Sequence, residues 1–111
     1  MTDRVDAIAD RLIEVSHRIH AHPELAYAEH HAHDLLCDEL EAATAGSAAL
    51  RVTRGAYGLD TAFEARVDGG AGPTVAIICE YDALPGIGHA CGHNIIAAAG
   101  LGAAPDAGGR Q

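Results

Sequence analysis

An α/β domain is the fold class this sequence predicts, and three features point to it. Apolar residues recur every three to four positions in the N-terminal region, up to about residue 43. The period then changes to two between Leu50 and Val67. Finally, an uninterrupted apolar run from Thr74 to Cys79 leads through a Gly-rich loop into a small-residue helical pattern that begins at Asn94.

Thr2 can cap a first helix whose apolar face is Val5, Ile8, Leu12, Val15 or Ser16, and Ile19. Asp3 and Asp6 fall in its first turn, where the helix dipole favours negative charge. Pro23 lacks a backbone N–H, so the helix ends near His20–His22. A second helix is expected from about Ala28 to Ala43, with Ala32, Leu35, Leu36, Leu40 and Ala43 on one face and Gly46 as its stop. Leu50 and Val52 alternate with Arg51 and Thr53 as a short strand, and Thr61 to Val67 alternates again. The turn Asp68-Gly-Gly-Ala-Gly-Pro73 joins this second strand to the apolar run. Residues 61–67 and 74–79 therefore read as a hairpin, with 74–79 as a buried central strand. The last helix spans Asn94 to about Ala104 and is broken by Pro105. Residues 1–104 are thus expected to form one domain portion, and 105–111 a disordered tail.

Composition narrows the function classes. Seven basic residues, all Arg, face sixteen acidic ones, for a net charge of −9. So acidic a chain has no basic patch to neutralise phosphates, which argues against nucleic acid and anionic membranes as partners. No apolar stretch approaches the ~20 residues of a membrane span. Asp3, Asp6 and Asp10 interrupt any signal-peptide core. Three cysteines, an odd number, fit a reducing compartment, and a cytoplasmic location is expected. Ala supplies 24 residues against 23 for Val, Ile, Leu and Phe together, so the core is thin.

One segment concentrates chemistry: Glu80-Tyr-Asp82-Ala-Leu-Pro-Gly-Ile-Gly-His89-Ala-Cys91-Gly-His93-Asn94. It lies after an apolar run and before a helix, where α/β sheets place ligands. Two carboxylates, two imidazoles and a thiol fall within fourteen residues. Gly92 relaxes the backbone between Cys91 and His93, so both can face one metal, and thiolate and imidazole suit Zn²⁺. The following helix N-terminus favours the Cys91 thiolate. Spacing leaves two other readings open. Cys91 can be a small buried hydrophobe with His93 as a helix-start residue, or a nucleophile served by His89 or His93.

This segment resembles the first metal-binding motif of metallopeptidase family 20. That family holds hippurate hydrolase, indole-acetyl-amino-acid hydrolases, p-aminobenzoyl-glutamate hydrolase and related dipeptidases. Arg18-Ile-His20-Ala-His22-Pro23-Glu24-Leu25 and Gly72-Pro-Thr-Val75 resemble further elements of the family, so the likeness runs from residue 4 to about 104. The resemblance implies the N-terminal part of a zinc-exopeptidase-like catalytic domain. It places Cys91 and His93 on metal ligands of a two-metal site, Zn or Mn. Asp82 becomes the acidic residue supporting the metal centre, with His89 and Glu80 as further support. The implied substrates are N-acyl amino acids or dipeptides, and full-length relatives carry a lid or dimerisation domain. In such a site the metal polarises the scissile carbonyl and activates water, with a Glu as base.

Two departures shape the expectation. Glu80-Tyr81-Asp82 and Asn94 replace the Asp-Met-Asp and Asp of the hippurate branch, which tilts toward the p-aminobenzoyl-glutamate hydrolase and dipeptidase branch. No Glu follows Glu80 and no His follows His93, so the family's base and remaining ligands lie outside this stretch. The expectation is an N-terminal fragment, inactive alone, or else a non-catalytic, weakly metal-binding remnant. Elsewhere, His30, His31, His33 and Asp34 are expected on a solvated helix face. His20 and His22 read as end-of-helix structural residues, and Cys37 and Cys79 as buried free thiols. Gly69-Gly-Ala-Gly72 lacks the Lys and Ser/Thr of a phosphate loop.

Overall fold

The N-terminal helical period becomes two consecutive helices in the computed structural model, α1 (Thr2–Ala7) and α2 (Ala9–Ala21). The structure describes the backbone of residues 2–43 and 50–109 and the side chains of 5–42 and 50–103. The expected Thr2 cap and Gly46 stop lie outside the described side chains and residues respectively. The single expected helix is interrupted at Ile8, whose N–H bonds tightly back to Val5 O at 3.1 Å. His22 N–H closes the far end on Ile19 O, one residue before Pro23.

Helix α3 (His30–Ala43) follows, then β1 (Leu50–Arg54), a single 3-10 turn (Ala56–Gly58), β2 (Phe63–Val67) and α4 (His93–Gly109). The class is mixed α/β, as expected: helices with a two-stranded sheet. The core is formed by Val15 and Ile19 of α2, by Ala32, Leu35 and Leu36 of α3, by Ala97 of α4 and by Tyr81, with Phe63 and Leu101 packed at its margin. Burying a Val, Ile or Leu side chain contributes roughly 1.5–3 kcal/mol. Arg54 ties β1 to α3 through Asp38 Oδ1 at 2.6 Å and Glu41 Oε1 at 2.7 Å.

Helix α4 reaches the core because it is built from small residues. A Cβ on Gly102 would sit 2.6 Å from Leu12 Cδ1 of α2, and one on Gly100 would sit 3.0 Å from Cys79 Sγ. Asn94 adds a polar tie, donating from Nδ2 to Ser16 Oγ at 3.0 Å. The helix continues through Gly109, past the break expected at Pro105. Within a helix a proline removes one backbone hydrogen bond and crowds the preceding turn, which bends or weakens the helix without always ending it.

Four further expectations are corrected. The 61–67/74–79 hairpin does not form: β2 pairs antiparallel with β1 instead, in the register Leu50↔Val67, Val52↔Ala65 and Arg54↔Phe63. Residues 74–79 are not a strand, and Val75 and Ile78 are 85% and 86% exposed. An apolar run marks residues that gain from burial, but a strand also needs a backbone partner. Among the described residues none is hydrogen-bonded through its backbone to 74–79. The face of α3 carrying its histidines is not wholly solvated either. His33 is buried, with Nδ1 2.9 Å from Asp34 Oδ1 and its ring edge-on to Phe63. Cys79 is only partly buried, whereas Cys37 is buried as expected.

The core assignment predicts a contrast. Leu36→Ala should lower unfolding free energy by about 2–5 kcal/mol in urea titrations. Ile78→Ala should change it by less than about 0.5 kcal/mol; equal losses would show that 74–79 is packed. The thiols give a second test. Burial pushes the Cys37 thiol from 9.0 up to about 11. Cys91, which is exposed, should therefore be alkylated first at neutral pH, with Cys37 protected until unfolding. Because the folded value is the raised one, stability should fall as pH rises from about 9 to about 11.

Candidate functional site

Glu24 builds the floor of the motif region. Its carboxylate accepts the N–H groups of His31 at 2.9 Å and Ala32 at 3.0 Å, capping α3 from six residues upstream of the helix. Its backbone carbonyl accepts Ala83 N–H at 2.7 Å. The His-Pro-Glu-Leu segment is thereby fastened to both α3 and the Asp-Ala-Leu-Pro segment. Tyr81 secures the same region from the other side, donating its hydroxyl to Thr61 O. Thr61 Oγ1 in turn donates to Glu29 Oε1 at 2.9 Å. Burial and the Glu29 charge raise the Tyr81 pKa, so the phenol keeps its proton and remains a donor.

The loop that follows is a compact reversal. Leu84 N–H bonds Gly88 O at 2.9 Å, and Gly88 N–H returns to Leu84 O at 3.2 Å. Gly92 holds φ at +87°, a left-handed value costly for side-chain-bearing residues, and its carbonyl starts α4 by accepting Ile96 N–H at 3.1 Å. His93 is the first residue of that helix.

The fold brings Glu80, Asp82 and His93 together. His93 Nδ1 lies 2.8 Å from Asp82 Oδ1 and 3.2 Å from Asp82 O. Its Nε2 lies 3.3 Å from Glu80 Oε1, an ion-pair contact rather than one of the ring's hydrogen bonds. The imidazole is partly buried, at 22% side-chain exposure, while Glu80 is 54% exposed. His93 therefore presents one nitrogen inward to a fixed carboxylate and the other toward a more exposed one.

The other candidates are not gathered there. Cys91 is exposed, and no hydrogen bond or ion pair joins it to a described residue. Among the described residues, no three His, Cys, Asp or Glu side chains form a group able to hold a metal. His89 is 7% exposed, its ring 6.2 Å from that of His20, and neither ring nitrogen has a partner among the described residues. Burial, together with His20 and His93, lowers its pKa, which favours the neutral ring. His22, at the end of α2, stacks on His31 at 4.4 Å. An open, apolar groove of about 320 Å³ lies between α2 and α4, lined by Leu12, Ile13, Ile95 and Ala98 among others. None of its residues belongs to the Glu80–His93 group.

Sequence reasoning did not single out Glu24 or Tyr81 as residues that position the site. Glu24 had one visible signal: a carboxylate a few residues before a helix that lacks a Ser, Thr, Asp or Asn at its start. Tyr81 had none beyond its place between the two carboxylates.

No protein-family model matches the chain. Individual relatives do. The chain is 46% identical over 108 residues to the Xaa-Arg dipeptidase of Mus musculus, covering 92% of this chain and 25% of that protein. It is 46% identical over 110 residues to the Xaa-Arg dipeptidase of Homo sapiens, covering 90% of this chain and 24% of that one. It is 31% identical over 119 residues to a p-aminobenzoyl-glutamate hydrolase chain of Escherichia coli, covering 92% and 24% respectively. The chain thus spans about a quarter of the length of the curated relatives it matches. These names fall in the branch toward which Glu80-Tyr81-Asp82 and Asn94 tilt. The resemblance carried by the 80–94 motif and the relatives found along nearly the whole chain agree: this chain belongs to the metallopeptidase family 20 amidohydrolases and dipeptidases.

Proposed function

We propose that this chain supplies one part of the active site of a metal-dependent hydrolase that cleaves amide bonds of dipeptides or N-acyl amino acids. The observation that carries the reading is the 2.8 Å contact between His93 Nδ1 and Asp82 Oδ1. A carboxylate on one imidazole nitrogen fixes the ring and its tautomer and leaves the other nitrogen's lone pair for a cation. The donor chemistry of His93, Cys91, Glu80 and Asp82 suits Zn²⁺, and Mn²⁺ where carboxylates dominate. When bound, the divalent ion would supply Lewis-acid activation of the amide carbonyl and of water.

The roles assigned to this chain's residues are narrower. His93 and Cys91 are the ligands. Asp82 orients His93, while Glu80 and His89 support the centre. Gly92 lets the two ligands leave the backbone on either side of a sharp turn. Glu24 and Tyr81 hold the loop to the helices so that this geometry survives thermal motion. The names of the 46% identical relatives favour dipeptides over N-acyl amino acids as substrates. The residues assigned here supply only part of such a site, since they include neither a catalytic Glu nor ligands for a second metal. The 111-residue chain alone is therefore inactive, working in a reducing, cytoplasmic setting as part of a longer, dimer-forming hydrolase or surviving as a metal-binding remnant. Among the described residues no helix is long and apolar enough to cross a membrane.

Two measurements test this. The purified chain, given Zn²⁺ or Mn²⁺ and a panel of dipeptides, should release no amino acid above background; turnover abolished by Cys91→Ala would contradict its inactivity. Asp82→Asn should weaken Zn²⁺ affinity about 10–100-fold, because the ring loses its orienting carboxylate. Unchanged affinity would remove Asp82 from the site.

A further inference from the structure

We infer that residues 74–79 are the seam of a homodimer, in which this segment of one copy pairs antiparallel with the same segment of a second copy. The inference goes beyond the hydrolase reading and does not depend on it.

Three observations carry it. The first is the backbone. Thr74-Val-Ala-Ile-Ile-Cys79 is apolar and rich in β-branched residues, yet among the described residues none is hydrogen-bonded to it through the backbone. An unpaired edge of this kind is a template for another strand. The second is its support. A Cβ on Gly100 would sit 3.0 Å from Cys79 Sγ and 3.8 Å from Ile77 Cγ2, so α4 backs the segment on one side. Val75 and Ile78 remain exposed. A segment already held against a helix loses less freedom on pairing than a free chain does. The third is charge. In a chain of net charge −9, the stretches 69–79 and 94–103 contain no Arg, Asp, Glu or His. The contact at Gly100 lays one stretch against the other, so the fold gathers both into one uncharged strip. Over its acidic surface the chain repels its own copy, and along this strip it does not.

The register follows from symmetry. A two-fold axis in an antiparallel pair passes through a residue that faces its own copy. With the axis at Ala76, Thr74 faces Ile78 and Val75 faces Ile77, while Glu80 falls opposite Gly72. Apolar and β-branched residues then oppose one another and no like charges meet. The segment is thus self-complementary, which is why a second copy fits it. So short a seam gives a weak, reversible dimer.

The test uses the full 111-residue chain in sedimentation equilibrium from micromolar to sub-millimolar concentration. A reductant and a chelator are present, so that neither a disulfide nor a shared cation can join two copies. Wild type should show a monomer–dimer equilibrium. Ile78→Lys, which places a charge on the seam, should weaken it by at least about tenfold. Ile78 is exposed, so this variant should keep the wild-type circular dichroism spectrum. Ile95→Lys, on the rim of the groove between α2 and α4, should leave the dimer unchanged. The register is read without reductant, in a Cys91→Ser background that removes the exposed native thiol. There Ala76→Cys should form an intermolecular disulfide with oxidised glutathione, because directly opposed residues lie roughly 4.5–5.5 Å apart at Cα, within disulfide reach. A wild-type chain that stays monomeric throughout overturns the inference, as does an Ile78→Lys variant that dimerises like wild type. Loss of association in Ile95→Lys alone would move the interface to the groove and overturn it too. Open-ended species larger than a dimer contradict the closed pair, and failure of Ala76→Cys to crosslink contradicts the register.

Discussion

The double use of Glu24 is the constraint on which the rest of this structure depends. A carboxylate placed in the loop between α2 and α3 satisfies two N–H groups at the start of α3, and the same residue's carbonyl holds Ala83. Buried backbone donors left without partners are costly, so this residue fixes where α3 begins and where the Glu80–Ala83 segment runs. Everything chemical follows from that placement. Tyr81 drops into the core beside Leu36 and Ala97, and Asp82 then faces the first turn of α4, where His93 waits. The two sequence elements that carry the family resemblance, His-Pro-Glu-Leu and Asp-Ala-Leu-Pro, are therefore physically joined by one hydrogen bond.

Helix α4 owes its position to a different device. Its small residues let it lie against Leu12 of α2 on one side and Cys79 on the other, at distances that a single added Cβ would violate. Close approach substitutes for large side chains in a chain rich in Ala. The start of the helix is thereby held near both the core and the motif loop, which makes His93 a rigidly mounted ligand candidate. Cys91, two residues earlier and before the left-handed Gly92, is exposed and has no such mounting. The two halves of the Cys-Gly-His motif thus differ in preorganisation: His93 is set by Asp82, and Cys91 is exposed.

How much of this is legible in the sequence depends on whether the deciding contact is local. The α3 face formed by Ala32, Leu35, Leu36 and Leu40 is a periodicity statement, and the structure buries all four. The alternation at Leu50–Thr53 and near Phe63–Val67 likewise marks both strands. Pairing is not legible, because alternation says which side of a strand is apolar and nothing about which strand lies beside it. Hence β2 reads as the neighbour of 74–79 when its partner is β1, and that apolar run reads as a strand without one beside it. His33 is misread for a related reason: its burial comes from Phe63 and Cys37, contacts made across the fold and along the helix. In the site, the motif's residue types single out Asp82 and His93, which the structure brings together, and Cys91, which it leaves apart. The role of Glu24 as a long-range cap depends on the turn that Ala28 N–H closes on Leu25 O, with Tyr27 at positive φ, which residue periodicity does not announce.

The central claim is that His93 is held through Nδ1 by Asp82 and presents Nε2 to a divalent cation. Two-dimensional ¹H–¹⁵N long-range NMR of the histidine rings, recorded with and without Zn²⁺, tests it most directly. With Asp82 on Nδ1, the neutral His93 ring should carry its proton there, and Zn²⁺ should shift the Nε2 resonance while Nδ1 stays protonated. A neutral His93 protonated on Nε2, with Nδ1 as the nitrogen that moves on adding Zn²⁺, would contradict it.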